Sequence, residues 1–249
     1  MAVCWIGIGA NTGEPRAAFA LAWRLLAQHP QIELLTRSGL YSTTPVGQHA
    51  GDTFTNGVFS LATDLFPLDL LDLLQGIETE IGRTRTLRWG PRPIDLDLLF
   101  VDQLTLNEPR LTIPHPAAWY RRFVIDPLFE IAPELVHPVY SQSVAALRDR
   151  LLVRPLRVGL CGSLPEGAAS AEFRERIPEV RFDGGAISRP QSDTTAATIR
   201  VRLHHSEPAE PIQQGVPVAD LTQTPGDELQ RLTDFVTSVL DSPVRIEDW

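Results

Sequence analysis

The chain has 249 residues, a formal net charge of −9 at pH 7, 43% hydrophobic residues and 21% charged residues. This balance is typical of a globular protein with one large or two modest domains, and it excludes a disordered chain. No apolar run approaches the roughly 20 residues that span a membrane, and no basic stripe could follow a phosphate backbone. We therefore expect neither a membrane nor a nucleic acid as a partner.

All 22 basic residues are arginines. The lack of lysine excludes a Walker P-loop lysine, a pyridoxal Schiff base and a lysine nucleophile, so anion binding must use Arg and backbone amides. The two cysteines, Cys4 and Cys161, lie far apart in strand-like segments, which argues against a disulfide framework. The first residues lack the basic region of a secretory signal, and we expect a cytoplasmic protein.

Strand and helix patterns alternate over the first 154 residues. The spacing predicts strands at 3–8, 32–43, 55–62 and 94–101, with helices at 15–28 and from Pro67 onward. The order β-α-β-β-α-β predicts an α+β fold, a two-layer sandwich of ferredoxin-like type. Ser143 is the predicted N-cap of a further helix over 144–152.

The pattern becomes looser after residue 154. We predict an amphipathic helix at 225–240, a short helix at 171–177 and strands at 156–160, 198–204 and 217–221. The chain is therefore divided into residues 1–154 and a small accessory α/β domain at 155–249, with a role in dimerisation, regulation or docking. His204 and His205 could bind a metal or form a solvated strand end.

Two carboxylates stand out on the strand predicted at 94–101. Asp95 and Asp97 are two residues apart, so they project from the same face of the strand, about 6 to 7 Å apart at Cα. Such a pair suits one or two Mg²⁺ ions, with substrate phosphates completing the shell. The alternative is a solvated face above inward-pointing leucines.

An arginine-rich segment precedes these aspartates. Arg83, Arg85, Arg88 and Arg92 lie close together in a segment that also contains Gly90 and Pro91. Guanidinium groups match phosphate oxygens, so the segment indicates polyphosphate binding. Further along the chain His115 lies between two prolines, with Arg110, Thr112 and Arg121 nearby. It is either a structural histidine or a phosphate contact.

Four segments together resemble one enzyme family. They are RWGPRPIDLDLL at 88–99, IGIGAN at 6–11, LTIPHP at 111–116 and PLFEIAPEL at 127–135. In order and spacing they are similar to the 6-hydroxymethyl-7,8-dihydropterin pyrophosphokinases of folate biosynthesis, over about residues 1–153.

The resemblance implies transfer of the β,γ-pyrophosphoryl group of ATP to the hydroxymethyl oxygen of the pterin, with release of AMP. It implies two Mg²⁺ ions on Asp95 and Asp97, which with Arg83 and Arg92 form the catalytic set. It also implies an ATP site formed by Gln75, Glu78, Arg85, Trp89, Leu98, Arg110, Thr112, His115 and Arg121. The pterin would lie between Phe54 and Phe123, with its edge at Asn56 and at the backbone of Thr43, Thr44 and Val46. Without the resemblance, the two phenylalanines would be assigned to the core.

The sequence departs from the family pattern in two places. Pro116 and Ala117 follow His115 where members often carry Tyr or Pro-Arg, so one ATP contact is missing or comes from Tyr120 or Arg122. The segment 82–89 looks one residue shorter than in some members, which leaves the roles of its arginines open.

Three functions remain as alternatives. The first is the pterin pyrophosphokinase, with ATP and the pterin as partners and a possible homodimer through 155–249. The second is a nucleotide-sensing module without turnover, against which the retained aspartates and arginines argue. The third is a Mg²⁺-dependent phosphohydrolase, which would release phosphate from ATP without any pterin.

Overall fold

The computed structural model describes residues 1–44, 53–83, 92–161, 165–168, 170, 175, 177–183, 199–203, 216–224 and 226–248. None of the helices in these ranges is long and apolar enough to cross a membrane.

The largest sheet is antiparallel and has its first strand near the centre. Its strands from the first part of the chain are β1 (Ala2–Ala10), β2 (Ile32–Arg37), β3 (Leu40–Thr43), β4 (Phe54–Thr63) and β5 (Asp95–Val101). β4 pairs with β1, β2 and β3, and β1 also pairs with β5. The protein is therefore a mixed α/β structure with β5 at one side of the sheet.

Two helices cover one face of this sheet. They are α1 (Pro15–Ala27) and α2 (Pro67–Glu80), and each has a proline in its first turn, where its missing N–H costs nothing. Phe19 of α1 and Leu74 of α2 are fully buried in one core with Ile6 and Ile8 of β1. Apart from the strand expected over 32–43, the strands and helices predicted for the first 101 residues are present, with ends shifted by at most two residues.

One predicted strand is wrong in detail. The strand expected over 32–43 is two strands, β2 and β3, which are separated at Ser38 and Gly39. The reason is Ser38, whose Oγ accepts a hydrogen bond of 3.0 Å from the Val58 amide and donates one of 2.7 Å to the Gly39 carbonyl. A side chain thus takes the place of a backbone partner, and the ladder is interrupted there.

The segment after β5 has elements that the sequence pattern did not predict. They are two hairpins, β6 (Leu106–Glu108) with β7 (Leu111–Ile113) and β8 (Val136–His137) with β9 (Gln142–Ser143), and α3 (Arg122–Ile131). α3 contains Pro127, a residue that normally argues against a helix interior. α4 (Val144–Leu152) has the predicted bounds, and the Ser143 side chain caps it by accepting from the Ala146 amide at 3.1 Å.

The chain after residue 154 contributes a second, parallel sheet in the order β11-β10-β12-β13. The bounds are β10 (Leu156–Cys161), β11 (Val180–Asp183), β12 (Ile199–Arg202), β13 (Val218–Asp220) and α5 (Glu228–Leu240). β11 was not predicted. The helix expected over 171–177 falls mostly outside the described residues, as do His204 and His205. The helix expected from residue 225 begins at Glu228, because Asp227 caps it with a side-chain bond of 2.8 Å to the Gln230 amide.

The last part of the chain returns to the first sheet. β14 (Val244–Glu247) pairs antiparallel with β3, so the largest sheet has six strands. Phe235 of α5 packs on Tyr120, with ring centroids 4.9 Å apart. Both rings belong to one buried core with Val158 of β10. The two parts of the chain therefore share apolar packing as well as a sheet.

Candidate active site

The two aspartates lie side by side on β5. Asp95 and Asp97 are half-buried, whereas Leu96 and Leu98 between and beyond them are 3% exposed. Asp95 is opposite Gly9 and Asp97 is opposite Gly7 in β1. The predicted alternation of the strand is therefore present, and the neighbouring strand presents only glycines beside the carboxylates.

A row of directly paired residues runs from Asp95 across the sheet. Gly9 is paired with Asp95 on one side and with Asn56 of β4 on the other, and Asn56 is paired with Tyr41 of β3. Directly paired residues point to the same face of a sheet, and strands lie about 4.8 Å apart. A predicted metal ligand and a predicted pterin contact thus occupy one face, about 10 Å apart at Cα. The Tyr41 hydroxyl donates to Glu130 of α3 at 2.8 Å, so this is the face opposite α1 and α2.

Arginines flank the Asp95 carboxylate. The Nη1 atoms of Arg83 and Arg92 each form an ion pair with one of its oxygens. Burial and the charge of Asp97 raise the pKa of Asp95, while Arg92 and Arg83 act in the opposite direction. Among the described residues, Asp97 forms no ion pair. The two carboxylates therefore differ, since Asp95 is held by two cations and Asp97 has no ion-pair partner within the described ranges.

Glu78 fixes the position of this strand. Its side chain is 3% exposed, and its Oε1 accepts a hydrogen bond of 2.7 Å from the Leu96 amide and an ion-pair contact from Arg83. α2 is thus tied to the strand position between the two aspartates. A direct role of Glu78 in ATP binding stays a prediction, as does that of Gln75, which lies one turn earlier on α2.

Asn11 fixes Arg92 in the same way. The Asn11 Oδ1 accepts from the Arg92 backbone N–H at 2.9 Å, and the Asn11 backbone N–H donates to the Arg92 carbonyl at 3.2 Å. Asn11 is not among the site residues predicted from the sequence. The position of Asn11 directly after β1, at the end of the IGIGAN motif, is the sequence feature that could have indicated this role.

A cavity of about 310 Å³ borders His115. Thr112, Asn107 and Pro116 also line it, next to the β6–β7 hairpin. The His115 amide donates to the Leu99 carbonyl at 2.8 Å, and its Nδ1 accepts from the Ala117 amide at 3.2 Å. Burial and the charge of Arg121 lower the pKa of His115 to about 3, although Asp95 acts against them. His115 is therefore a neutral ring at physiological pH.

Tyr120 and Arg122, which could replace the ATP contact missing after His115, interact with other residues of the protein. The Arg122 guanidinium is 7% exposed and forms an ion pair of 2.7 Å with Asp126. It is therefore unsuited to supply the missing ATP contact. Tyr120 is 7% exposed and packs against Trp119 and Phe235. Arg110 is exposed at the other end of the hairpin and pairs with Asp72 of α2.

Three of the predicted pterin contacts, Thr43, Phe54 and Asn56, lie on the paired strands β3 and β4. The Asn56 Nδ2 donates to the Thr43 Oγ1 at 2.7 Å, and both side chains are less than 10% exposed. Thr43 is directly paired with Phe54, which is half-buried. The guanidinium carbon of Arg121 lies 5.5 Å from the ring centre of Phe123. Val46, Arg85 and Trp89 lie outside the described residues.

The metal site would need ligands beyond the protein. No group of three or more His, Cys, Asp or Glu side chains in the described ranges could hold a metal ion on its own. Two carboxylates on one strand face nevertheless fit Mg²⁺, which prefers oxygen ligands and accepts substrate phosphates and water in its shell. The donor set is thus compatible with a metal that arrives with ATP.

Comparisons with known proteins identify the family of the chain. Residues 5–133 match the family described as 7,8-dihydro-6-hydroxymethylpterin-pyrophosphokinase (HPPK). The chain is 44% identical over 134 residues to a 2-amino-4-hydroxy-6-hydroxymethyldihydropteridine pyrophosphokinase of Pseudomonas aeruginosa, covering 54% of this chain and 83% of that protein. It is 38% identical over 186 residues to a protein of the same name from Synechocystis, covering 74% and 90%.

A solved structure agrees at the level of the fold. A crystal structure of Plasmodium falciparum HPPK-DHPS aligns with a TM-score of 0.50 at 14% identity, covering 81% of this chain and 57% of that one. At that identity the likeness concerns the fold alone. The family match spans more than half of the 249 residues. The chain belongs to the 7,8-dihydro-6-hydroxymethylpterin-pyrophosphokinase (HPPK) family.

Proposed function

We propose that the chain transfers the β,γ-pyrophosphoryl group of ATP to the hydroxymethyl oxygen of 6-hydroxymethyl-7,8-dihydropterin, forming the pterin diphosphate and AMP. The family supports the reaction, and one observation carries its location. Asn56 and Asp95 lie in the same row of the sheet, on either side of Gly9. With this spacing, the pterin can form a hydrogen bond with Asn56 while the polyphosphate of ATP is bound at Asp95.

Asp95 and Asp97 would hold Mg²⁺, and we propose two ions. When bound, the metal neutralises the charge of the polyphosphate, which is what phosphoryl transfer requires most. Asp97 supports this assignment because it is half-buried and forms no ion pair with a described residue. Asp95 lies between Arg83 and Arg92. Because Arg binds phosphate as well as carboxylate, these two guanidinium groups can exchange Asp95 for phosphate oxygens when ATP arrives.

The ATP site includes the cavity beside His115. Thr112 and His115 line it, and Arg121 lies close enough to depress the His115 pKa. Because Nδ1 accepts from the Ala117 amide, the neutral ring carries its proton on Nε2, which can donate a hydrogen bond to ATP without adding charge. The proposed ATP contacts are Gln75, Glu78, Arg85, Trp89, Leu98, Arg110, Thr112, His115 and Arg121. Leu98 is 3% exposed, so its backbone would make the contact.

The pterin site lies at the other end of the row. Asn56 has its amide nitrogen engaged by Thr43, which leaves its Oδ1 to accept from an N–H of the pterin edge. Phe54 and Phe123 would stack on the ring, because flat heterocycles bind well between aromatic side chains. The proposed contacts are Thr43, Thr44, Val46, Phe54, Asn56 and Phe123.

The larger organisation is part of the same proposal. The strand order supports a ferredoxin-like two-layer sandwich for residues 1–154, with residues 155–249 as an accessory α/β domain in a cytoplasmic enzyme. A homodimer would use a surface of 155–249 away from β14, since β14 is paired with β3 of its own chain. Light scattering of the purified protein tests the dimer, because a monomer mass at high concentration would exclude it.

Product analysis tests the function. The purified protein is incubated with Mg²⁺ and ATP, with and without 6-hydroxymethyl-7,8-dihydropterin, and the nucleotides are separated. AMP that forms only with the pterin is the expected result. Bound ATP without AMP would favour the sensing module, and phosphate release without pterin would favour the hydrolase.

A further inference from the structure

A carboxylate from the last part of the chain lies beside the proposed pterin site. Asp241, directly after α5, is 6% exposed, and its Oδ1 accepts a hydrogen bond of 3.3 Å from the Thr44 amide. Its Oδ2 is buried and has no hydrogen-bond partner among the described residues. A buried carboxylate oxygen without a partner costs free energy, so its presence calls for an explanation.

Elements on both sides fix Asp241 in place. Before it, α5 packs on the first part of the chain through Phe235 and Tyr120. After it, β14 pairs with β3, with Val244 opposite Ser42 and Arg245 opposite Tyr41. The pairing places residue 241 near the end of β3 that leads into Thr44. Asp241 therefore does not depend on the Thr44 contact for its own position.

Ion pairs hold the strand that follows. Arg16 of α1 binds Glu247 at 2.7 Å, and Arg245 binds Glu130 of α3 at 3.4 Å. Glu130 in turn accepts from the Gly39 amide at 3.1 Å, just before β3. The segment 241–248 therefore runs along β3, and ion pairs at its C-terminal end hold it to α1 and α3.

The contact at Thr44 has a direct consequence for the pterin. Because Asp241 takes the Thr44 N–H, the Thr44 carbonyl is the backbone group left to meet an N–H of a pterin edge. Thr43, the preceding residue, is fixed by Asn56 at 2.7 Å. Two side chains from distant parts of the sequence therefore fix two consecutive residues of the proposed site.

We infer that Asp241 is a positioning residue for the pterin. It holds the Thr44 backbone in the orientation in which that backbone can form a hydrogen bond with the edge of the ring. The inference rests on the proposed function, and it gives the chain after residue 154 a role in substrate binding. Asp241 acts through Thr44 and does not itself touch the substrate. Hydrogen bonds from Thr44 and from the Ser242 backbone favour the charged form of this buried carboxylate.

The test compares Asp241→Ala with Asp241→Asn in the full-length protein. Asn keeps an oxygen at the Oδ1 position and removes the buried charge, whereas Ala removes the acceptor. The readout is equilibrium binding of 6-hydroxymethylpterin with Mg²⁺ and a non-hydrolysable ATP analogue. We expect the Ala variant to bind the pterin about tenfold more weakly and the Asn variant to bind within about twofold of wild type. Binding of the ATP analogue should be unchanged in both.

Asp227→Ala is the matched control. It removes the N-cap of the same helix, which weakens α5 without touching Thr44. If this variant loses as much pterin affinity as Asp241→Ala, the effect is general loosening of α5 and the inference is wrong. Equal pterin binding by Asp241→Ala and wild type also overturns it.

Measurements of turnover distinguish a failure of the inference from a failure of the proposed function. Wild-type protein that binds the pterin but forms no AMP contradicts the proposed reaction, while the binding comparison still decides the role of Asp241. Wild-type protein that binds no pterin overturns both. In an active enzyme, Asp241→Ala should raise the pterin KM about tenfold with kcat within about twofold.

Discussion

Asn56 and Asp95 flank Gly9 in one row of the six-stranded sheet. A Cβ atom at Gly9 would lie 2.7 Å from the Asn56 Oδ1, which is closer than side chains approach. Asn56 cannot move away freely, because its amide donates to the Thr43 Oγ1 at 2.7 Å. Glycine at position 9 therefore leaves space beside the Asn56 side chain, between the two proposed substrate sites.

Gly9→Ala is therefore expected to impair pterin binding. Displacement of the Asn56 amide should raise the pterin KM about tenfold, with a much smaller effect on the KM for ATP. Steady-state kinetics with each substrate varied in turn measures both values. Gly76→Ala in α2 is the matched control, since its added Cβ meets no described atom within 4 Å beyond its chain neighbours and the backbone of its own helix. Equal pterin KM values in both variants would contradict the arrangement.

Asp97→Ala tests the metal assignment. The side chain is half-buried on the strand face and makes no ion pair in the described part of the chain, so its loss should leave the fold intact. Loss of a metal ligand should reduce kcat by about a hundredfold or more. Asp69→Ala, which removes an exposed carboxylate from the first turn of α2, should leave activity unchanged and lower the melting temperature only slightly. Wild-type rates for Asp97→Ala would contradict the assignment.

Glu78 should matter for stability as well as for activity. Glu78→Ala leaves the Leu96 amide without its acceptor and the half-buried Arg83 with one carboxylate fewer. Loss of one partner from a buried pair destabilises a protein by about 3 kcal/mol. Glu78→Gln keeps an oxygen for Leu96 and should lose less. Urea unfolding of the three proteins gives the comparison, and equal midpoints would show that the bond to Leu96 contributes nothing.

The stability of the protein should fall in acid partly because of His115. Its pKa is lowered from 6.5 to about 3, so between these values the unfolded chain binds a proton that the folded chain does not. Stability contributed by the neutral ring is therefore complete above pH 6.5 and is lost as the pH falls toward 3. His115→Asn keeps an acceptor for the Ala117 amide and removes the titration.

The slope of unfolding free energy against pH near pH 5 measures this effect. It should decrease by about one proton in His115→Asn. His137→Asn should decrease it similarly, because burial lowers the His137 pKa to about 4. A slope in His115→Asn identical to that of wild type would mean that the ring titrates normally in the folded protein.

Local sequence signals predicted the parts of this fold that depend on local physics. The prolines at the starts of α1 and α2 and the cap at Ser143 fix helix ends within their own turns, and these ends were predicted to within a residue or two. The alternation on β5 likewise predicted the common face of Asp95 and Asp97.

The sequence pattern could not predict the register between strands that are far apart in the chain. The row from Asn56 to Asp95 depends on which residues of three strands are paired. β14 pairs with β3 although the strands are far apart in the chain, and the contacting residues Thr44 and Asp241 beside them differ by 197 in residue number. A four-residue edge strand such as β14 carries too little periodicity to identify its partner. α3 was missed for a different reason, since Pro127 lies inside the helix and Arg122 and Asp126 stabilise it through a buried ion pair.

The most direct test of the account follows the β-phosphate. ATP labelled with radioactive phosphorus at the β-position is incubated with Mg²⁺, the pterin and the protein, and the products are separated. Pyrophosphoryl transfer predicts that the label moves to the pterin product while unlabelled AMP is released. Label that remains in ADP would show transfer of the γ-phosphoryl group alone, and it would contradict the proposed reaction at the Asp95–Asp97 site.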